Sequence, residues 1–244
     1  MTNKYTFQVK KTDKSIELIC PDSDINVTNS IFTNNEYPIQ NFHAYEPTSI
    51  IYIGAGIGAS AIYFDAFYPR TQIHCFEPSP RSFQYLKLNT ENKKNINIHN
   101  YGLFNKEVTA SLHLGNKHFA TDSISYHCNS SDNTTNVQLK NAKDVLDKIS
   151  IGRKSILKID TEGCEVPILN NIKDMLPCFS LAFFEYHSEQ DRREIDEILK
   201  DSFLLYHSMV LMPHRGLLSY ISLEMAEGYK EQGLLGKIIP RPNY

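Results

Sequence analysis

Across residues 1–48 the apolar positions follow no steady period and lie among Asn, Lys and two prolines, Pro38 and Pro47. This pattern predicts an N-terminal lead-in of short strands and loops. From residue 49 the pattern changes. Ser49–Ile53 is a short β-branched run that stops at a glycine, as expected of a strand buried on both faces. Ile57, Ala61, Phe64, Ala66 and Phe67 then recur at helical spacing, and Pro69 closes that helix. Residues 72–77 are read as the second strand, after which Ser79 and Pro80 suit the N-cap and first position of a helix over 81–91. A third strand is predicted over 96–101. Strand–helix alternation of this kind implies a parallel sheet with right-handed crossovers.

Beyond residue 101 the alternation loosens. Val108, Ala110, Leu112 and Leu114 alternate with polar residues, which reads as a half-exposed antiparallel strand. A Ser/Thr/Asn-rich loop over 115–136 leads to a short strand at 137–139 and a helix around 143–149. Strands at 155–160 and 179–185 alternate with helices at 165–171 and 192–201, and residues 203–222 hold two further strands. The expected fold class is α/β: a Rossmann-like, doubly wound, mostly parallel sheet with an antiparallel edge. It would occupy 49–222, between the lead-in of 1–48 and a C-terminal helix and tail at 223–244.

Charge and cysteine usage narrow the setting. A formal net charge of -3 with no basic run gives no electrostatic footprint for nucleic acid. No stretch approaches the roughly 18 apolar residues of a spanning helix, and residues 1–11 lack the apolar core of a signal peptide. The five cysteines are odd in number and widely spaced, as free thiols in a reducing compartment are. The expectation is a cytoplasmic protein with neither a nucleic-acid nor a membrane partner. His113, His118, His127 and Cys128 fit no common zinc spacing, and no metal is expected.

Three segments carry chemistry. Gly54-Ala55-Gly56-Ile57-Gly58-Ala59 lies on the first strand-to-helix turn, where glycines let the backbone approach a ligand and helix N–H groups face it. It satisfies both the dinucleotide pattern G-x-G-x-x-A and the methyltransferase pattern G-x-G-x-G. Glu77, 23 residues after Gly54, ends the second strand, where a carboxylate can accept from both hydroxyls of a ribose. In Leu157-Lys158-Ile159-Asp160-Thr161-Glu162-Gly163-Cys164-Glu165, three acids stand at the carboxyl end of a strand, where open α/β sheets place their sites. Glu162 and Glu165 have an alternative role as acids favouring the next helix N-terminus. Glu185 and His187 end the following strand and face the same crevice.

Together, Gly54-Ala55-Gly56-Ile57-Gly58, Phe76-Glu77-Pro78 and the Lys158-to-Glu165 segment resemble the FkbM methyltransferases over about residues 49–187. The resemblance implies an S-adenosyl-L-methionine cofactor and methyl transfer to a hydroxyl of a sugar or small metabolite. By it, Gly54, Ala55, Gly56 and Gly58 would cradle the amino-acid part of the cofactor, and Glu77 with Pro78 the ribose. Gly102 and Leu103 would flank adenine, joined by Asp122 or Ser123 from the loop. Asp160 would take the acceptor's proton, with Glu162 and His187 as further candidates, and Asp160 with Glu162 could also hold a divalent cation. The family's acid two residues before the first glycine is Tyr52 here, which leaves the acceptor of the cofactor's ammonium open between Glu36 and Asp160. Two other readings compete. An NAD(P)-dependent oxidoreductase would use Gly54, Gly56, Ala59 and Glu77 but finds no Tyr-x-x-x-Lys dyad downstream. A non-catalytic ligand-binding relative is suggested by Tyr52.

Overall fold

In the computed structural model, residues 3–9, 13–33, 36–39, 42, 45–115, 122 and 133–233 are described. The chain opens with a hairpin, β1 (Asn3–Gln8) and β2 (Ser15–Cys20), and a helix, α1 (Ile25–Thr33). There follow β3 (Ser49–Ile53), α2 (Ala59–Phe67), β4 (Gln72–Phe76), α3 (Pro80–Thr90) and β5 (Ile96–His99), the expected β-α-β-α-β run. A separate three-stranded sheet holds β6 (Gly102–Phe104), β7 (Val108–His113) and β8 (Thr134–Asn141). The chain then returns through α4 (Ala142–Leu146), β9 (Ser155–Ile159), α5 (Glu165–Asn171), β10 (Phe179–Tyr186), α6 (Glu189–Leu199), β11 (Phe203–Met212), β12 (Arg215–Ser222) and α7 (Leu223–Glu231).

The main sheet has seven strands in the order β11-β12-β10-β9-β3-β4-β5. Its five central and right-hand strands are parallel, and the β11–β12 pair supplies the expected antiparallel edge. The chain runs outward from β3 through β4 to β5, then re-enters on the other side of β3 at β9. The switch point therefore falls between β3 and β9, and a crevice opens beyond their carboxyl ends. β3 shows why its sequence reads as an unbroken apolar run. Ile50 and Tyr52 pack on the α2 side of the sheet, while Ile51 and Ile53 pack with α5 and α6 on the other.

The lead-in differs from the expectation of strands and loops alone, because residues 25–33 form a helix. Ile25, Val27, Thr28, Ile31 and Thr33 are β-branched and give little intrinsic helical preference. Tertiary packing supplies what propensity lacks: Phe32 is 1% exposed and stacks on Phe7, with its ring centroid 6.2 Å from that of Tyr63 in α2. Among the described residues, no helix is long and apolar enough to cross a membrane.

Candidate active site

The chain leaves β3 through three glycines in left-handed conformation, Gly54 (φ 82°), Gly56 (φ 53°) and Gly58 (φ 90°). At Gly54 the need is steric as well as conformational. A Cβ there would lie 1.7 Å from the carbonyl oxygen of Asp160, so only glycine lets the ends of β3 and β9 converge. A Cβ on Gly56 would meet nothing within 4 Å, since this residue borders open space. That space is a cavity of about 570 Å³ over the switch point, lined by Gly54, Ala55, Gly56, Glu77, Pro78, Gly102, Leu103, Asp122, Asp160 and Glu162. These ten residues, all singled out from the sequence, share one cavity, and Glu36, Tyr52, Ala59 and Glu185 line it too. Gly58 and His187 do not line it: Gly58 caps α2 against Leu86, and His187 stands behind Glu162. Ser123 lies outside the described residues.

Glu77 is 6% exposed, and its two oxygens accept from the backbone N–H groups of Gly56 (2.6 Å) and Ser79 (2.7 Å). This pair of bonds fixes the carboxylate at the cavity wall while each oxygen keeps a lone pair for a ligand. Burial raises the Glu77 carboxyl to about 7 against those two bonds. Next to it, Asp122 is anchored to the start of α3. The Ser79 hydroxyl (2.7 Å), Arg81 and the Gly115 N–H (3.0 Å) all donate to it.

On the opposite wall, Asp160 follows β9 and accepts from Lys158 Nζ at 2.7 Å. Lys158 is 2% exposed, and its ammonium lies 4.4 Å from the Tyr52 ring centroid and 5.2 Å from that of Tyr37. Burial opposes charge on both groups, but their mutual attraction wins: Asp160 is held below its ordinary pKa and Lys158 above its own. Two residues on, Glu162 adopts φ 56°, a conformation non-glycine residues rarely take and one concentrated at functional sites. Arg215, from the start of β12, donates to Glu162 at 2.5 Å and to Glu185 at 2.8 Å. His187 Nε2 lies 3.1 Å from Glu162, so the imidazole and Arg215 converge on one carboxylate. Burial disfavours charge on His187, yet Glu162 and Glu165 outweigh it and raise its pKa to about 11. Glu165 itself accepts from the Thr161 and Gly163 N–H groups at 2.7 and 3.0 Å, the helix-start role weighed for it above.

Glu185 completes the cluster. Burial, and then the charge of Asp160, push its carboxyl to about 8, and it hydrogen-bonds Asp160. Asp160, Glu185 and His187 also offer ligand atoms within 4.8 Å of one another, the set among the described residues that could hold a metal ion. Sequence reading missed Arg215 and the outer cavity wall, made of Asn26, Val27, Ser30 and Ile31 of α1 with Leu211 and Met212 of β11. Arg215 follows a Pro213-His214 hairpin turn, and nothing local marks it as a site residue.

The raised carboxyls predict how stability varies with pH. Between the ordinary value near 4.5 and about 8, Glu185 holds a proton in the folded chain that the unfolded chain has released. Its stabilising contribution is therefore complete below about 4.5 and is lost as pH rises through 8, at up to about 1.4 kcal/mol per pH unit. Thermal unfolding of the ligand-free protein should show Tm falling from pH 5 to 8, and Glu185→Gln should flatten that slope. An unchanged slope in the variant would remove Glu185 as its source.

A sheet of this order, with a glycine turn and a buried glutamate at the tips of neighbouring parallel strands, defines a class I methyltransferase fold. The family model described as the methyltransferase FkbM domain matches residues 53–209, and the chain belongs to this family. Methyltransferase 1 of Beauveria bassiana (strain ARSEF 2860) is 25% identical over 164 residues, 59% of this chain and 65% of that protein. The crystal structure of methyltransferase FkbM from Methylobacillus flagellatus KT superposes with a TM-score of 0.50 at 14% identity, covering 71% of this chain and 43% of that one. Fibrillarin from Aeropyrum pernix, crystallised with natively bound S-adenosyl-L-methionine, gives a TM-score of 0.50 at 13% identity over 90% of this chain and 83% of its own. The chain thus spans less than two thirds of the first two proteins. The two structural likenesses show the fold.

Proposed function

We propose that this protein is an S-adenosyl-L-methionine-dependent O-methyltransferase that acts on a hydroxyl of a sugar or small metabolite. The observation that carries this is one cavity joining a glycine cradle and ribose-type glutamate to an acid cluster on the facing wall. The open space at Gly56 and the lone pairs left on Glu77 fit the cofactor. Gly54, Ala55 and Gly56 would hold its amino-acid part, Glu77 its ribose, and Gly102, Leu103 and Asp122 the adenine end. Gly58 and Ser123 belong to the same expected set. The bound cofactor supplies an electrophilic methyl group on its sulfonium, so the protein's work is to bind, orient and exclude water.

Among the groups expected to take the acceptor's proton, Asp160 is the base of this proposal. Its carboxylate is ionised at neutral pH and faces the cavity. Glu162 is the second choice. His187, held charged by two glutamates, orients Glu162 instead of accepting a proton. Residues 49–222 form the catalytic domain in this reading, while the lead-in of 1–48 furnishes the outer wall and 223–244 a C-terminal helix and tail. The absence of a basic run supports a small-molecule acceptor over nucleic acid, and a cytoplasmic setting is consistent with the free thiols of Cys20, Cys75, Cys164 and Cys178.

Calorimetry with S-adenosylhomocysteine and NAD tests the cofactor, and labelled methyl donor with hydroxylated acceptors then tests the transfer. The expected result is binding of S-adenosylhomocysteine without NAD. NAD binding without S-adenosylhomocysteine would overturn the reading in favour of an oxidoreductase, and binding of neither would favour a non-catalytic relative.

A further inference from the structure

The amino-acid part of S-adenosyl-L-methionine carries an ammonium group, which needs an anionic partner once it leaves water. The carboxylates facing the acid cluster are already engaged: Asp160 by Lys158, and Glu162 and Glu185 by Arg215. Glu77 is taken up by the Gly56 and Ser79 N–H groups, and Asp122 by Ser79 and Arg81. Glu36 is different. It lines the same cavity and is 7% exposed. Among the described residues it makes no ion pair, and its polar neighbours include Ser30 of α1 and the buried ammonium of Lys158.

Its placement follows from its neighbour. Tyr37 packs on Phe64 of α2 at 5.6 Å and on Phe183 of β10 at 5.5 Å, and it accepts from Ser60 at 3.5 Å. The Tyr37 ring also lies 5.2 Å from the Lys158 ammonium, beside Tyr52. This pins residues 36 and 37 over the end of β3, next to the glycine turn. Burial raises the Glu36 carboxyl against the influence of Ser30 and the charge of Lys158.

We propose that Glu36 is the carboxylate that receives the cofactor's α-ammonium, so that the lead-in completes the cofactor site. This rests on the methyltransferase reading above and adds to it one residue outside the span matched by the family model.

The test compares two nucleosides by calorimetry. S-adenosylhomocysteine carries the ammonium, whereas 5′-methylthioadenosine lacks the whole amino-acid part. Glu36→Gln should weaken S-adenosylhomocysteine at least about tenfold, the size of one lost charge-assisted contact, and leave 5′-methylthioadenosine within about twofold. Glu36→Asp keeps the charge but shortens its reach, and it should show the same split in milder form if the Gln variant fails to fold. Unchanged S-adenosylhomocysteine affinity, or equal loss of both ligands, overturns the assignment. A wild-type protein that binds neither nucleoside overturns the methyltransferase reading as well, and so is told apart from failure of Glu36 alone.

Discussion

Asp160→Asn should cut methyl transfer by about 10²–10⁴-fold, the range for a lost general base, while S-adenosylhomocysteine affinity stays within a few-fold. The substitution preserves shape. The Asn carbonyl oxygen can still accept from Lys158, now at 2.7 Å from the carboxylate, so the turn around Gly54 should survive. What disappears is the negative charge and the ability to take a proton from the acceptor hydroxyl. Retained affinity is also what the assignment of the ammonium to Glu36 requires, since Asp160 would then be a minor contributor to cofactor binding. Turnover is read with labelled methyl donor and affinity by calorimetry on the same preparation. Unimpaired turnover would move the base to Glu162 or Glu185. Impaired turnover with S-adenosylhomocysteine lost by orders of magnitude would instead make Asp160 the ammonium's partner.

The parts of this molecule that could be read from sequence are those decided by neighbouring residues. β3, β9 and β10 are buried on both faces, so their apolar runs need no knowledge of the rest of the chain. The glycine turn is equally local, because three left-handed residues in five positions leave glycine as the natural occupant. Ser79 and Pro80 mark the start of α3 by capping chemistry alone. The illegible parts depend on distant partners. α1 is built from poor helix formers and exists because Phe32 and Thr28 bury against the core. β6 is three residues long and pairs with β8, more than thirty residues later, so residues 102–104 read only as a turn after the third strand. Arg215 acquires its role from Glu162 and Glu185, each at least 30 residues away along the chain. Half of the site, the cofactor cradle, is therefore written in local motifs, whereas the outer wall comes from segments flanking them.

Lys158→Met should be the most destabilising single change in the site, on the order of 3–5 kcal/mol, or roughly 10 °C or more in Tm for a chain of this size. Lys158 is fully buried between Tyr37, Tyr52 and Asp160, and methionine matches its length without its charge. The volume is kept, so the loss is electrostatic. Asp160 would be left beside Glu185 with its nearest cation gone, and the pair could no longer remain as one ionised and one neutral carboxyl at neutral pH without strain. Its held-down pKa should then rise, and turnover at neutral pH should fall with it. The decisive measurement is a double-mutant cycle. If the penalty comes from an unpaired buried charge, Lys158→Met with Asp160→Asn should be more stable than Lys158→Met alone, because the orphaned carboxylate is removed. Additive losses would mean that the ammonium stabilises the core through the two tyrosine rings instead, at the 0.5–2 kcal/mol scale of cation–π contacts, and that the ion pair contributes little.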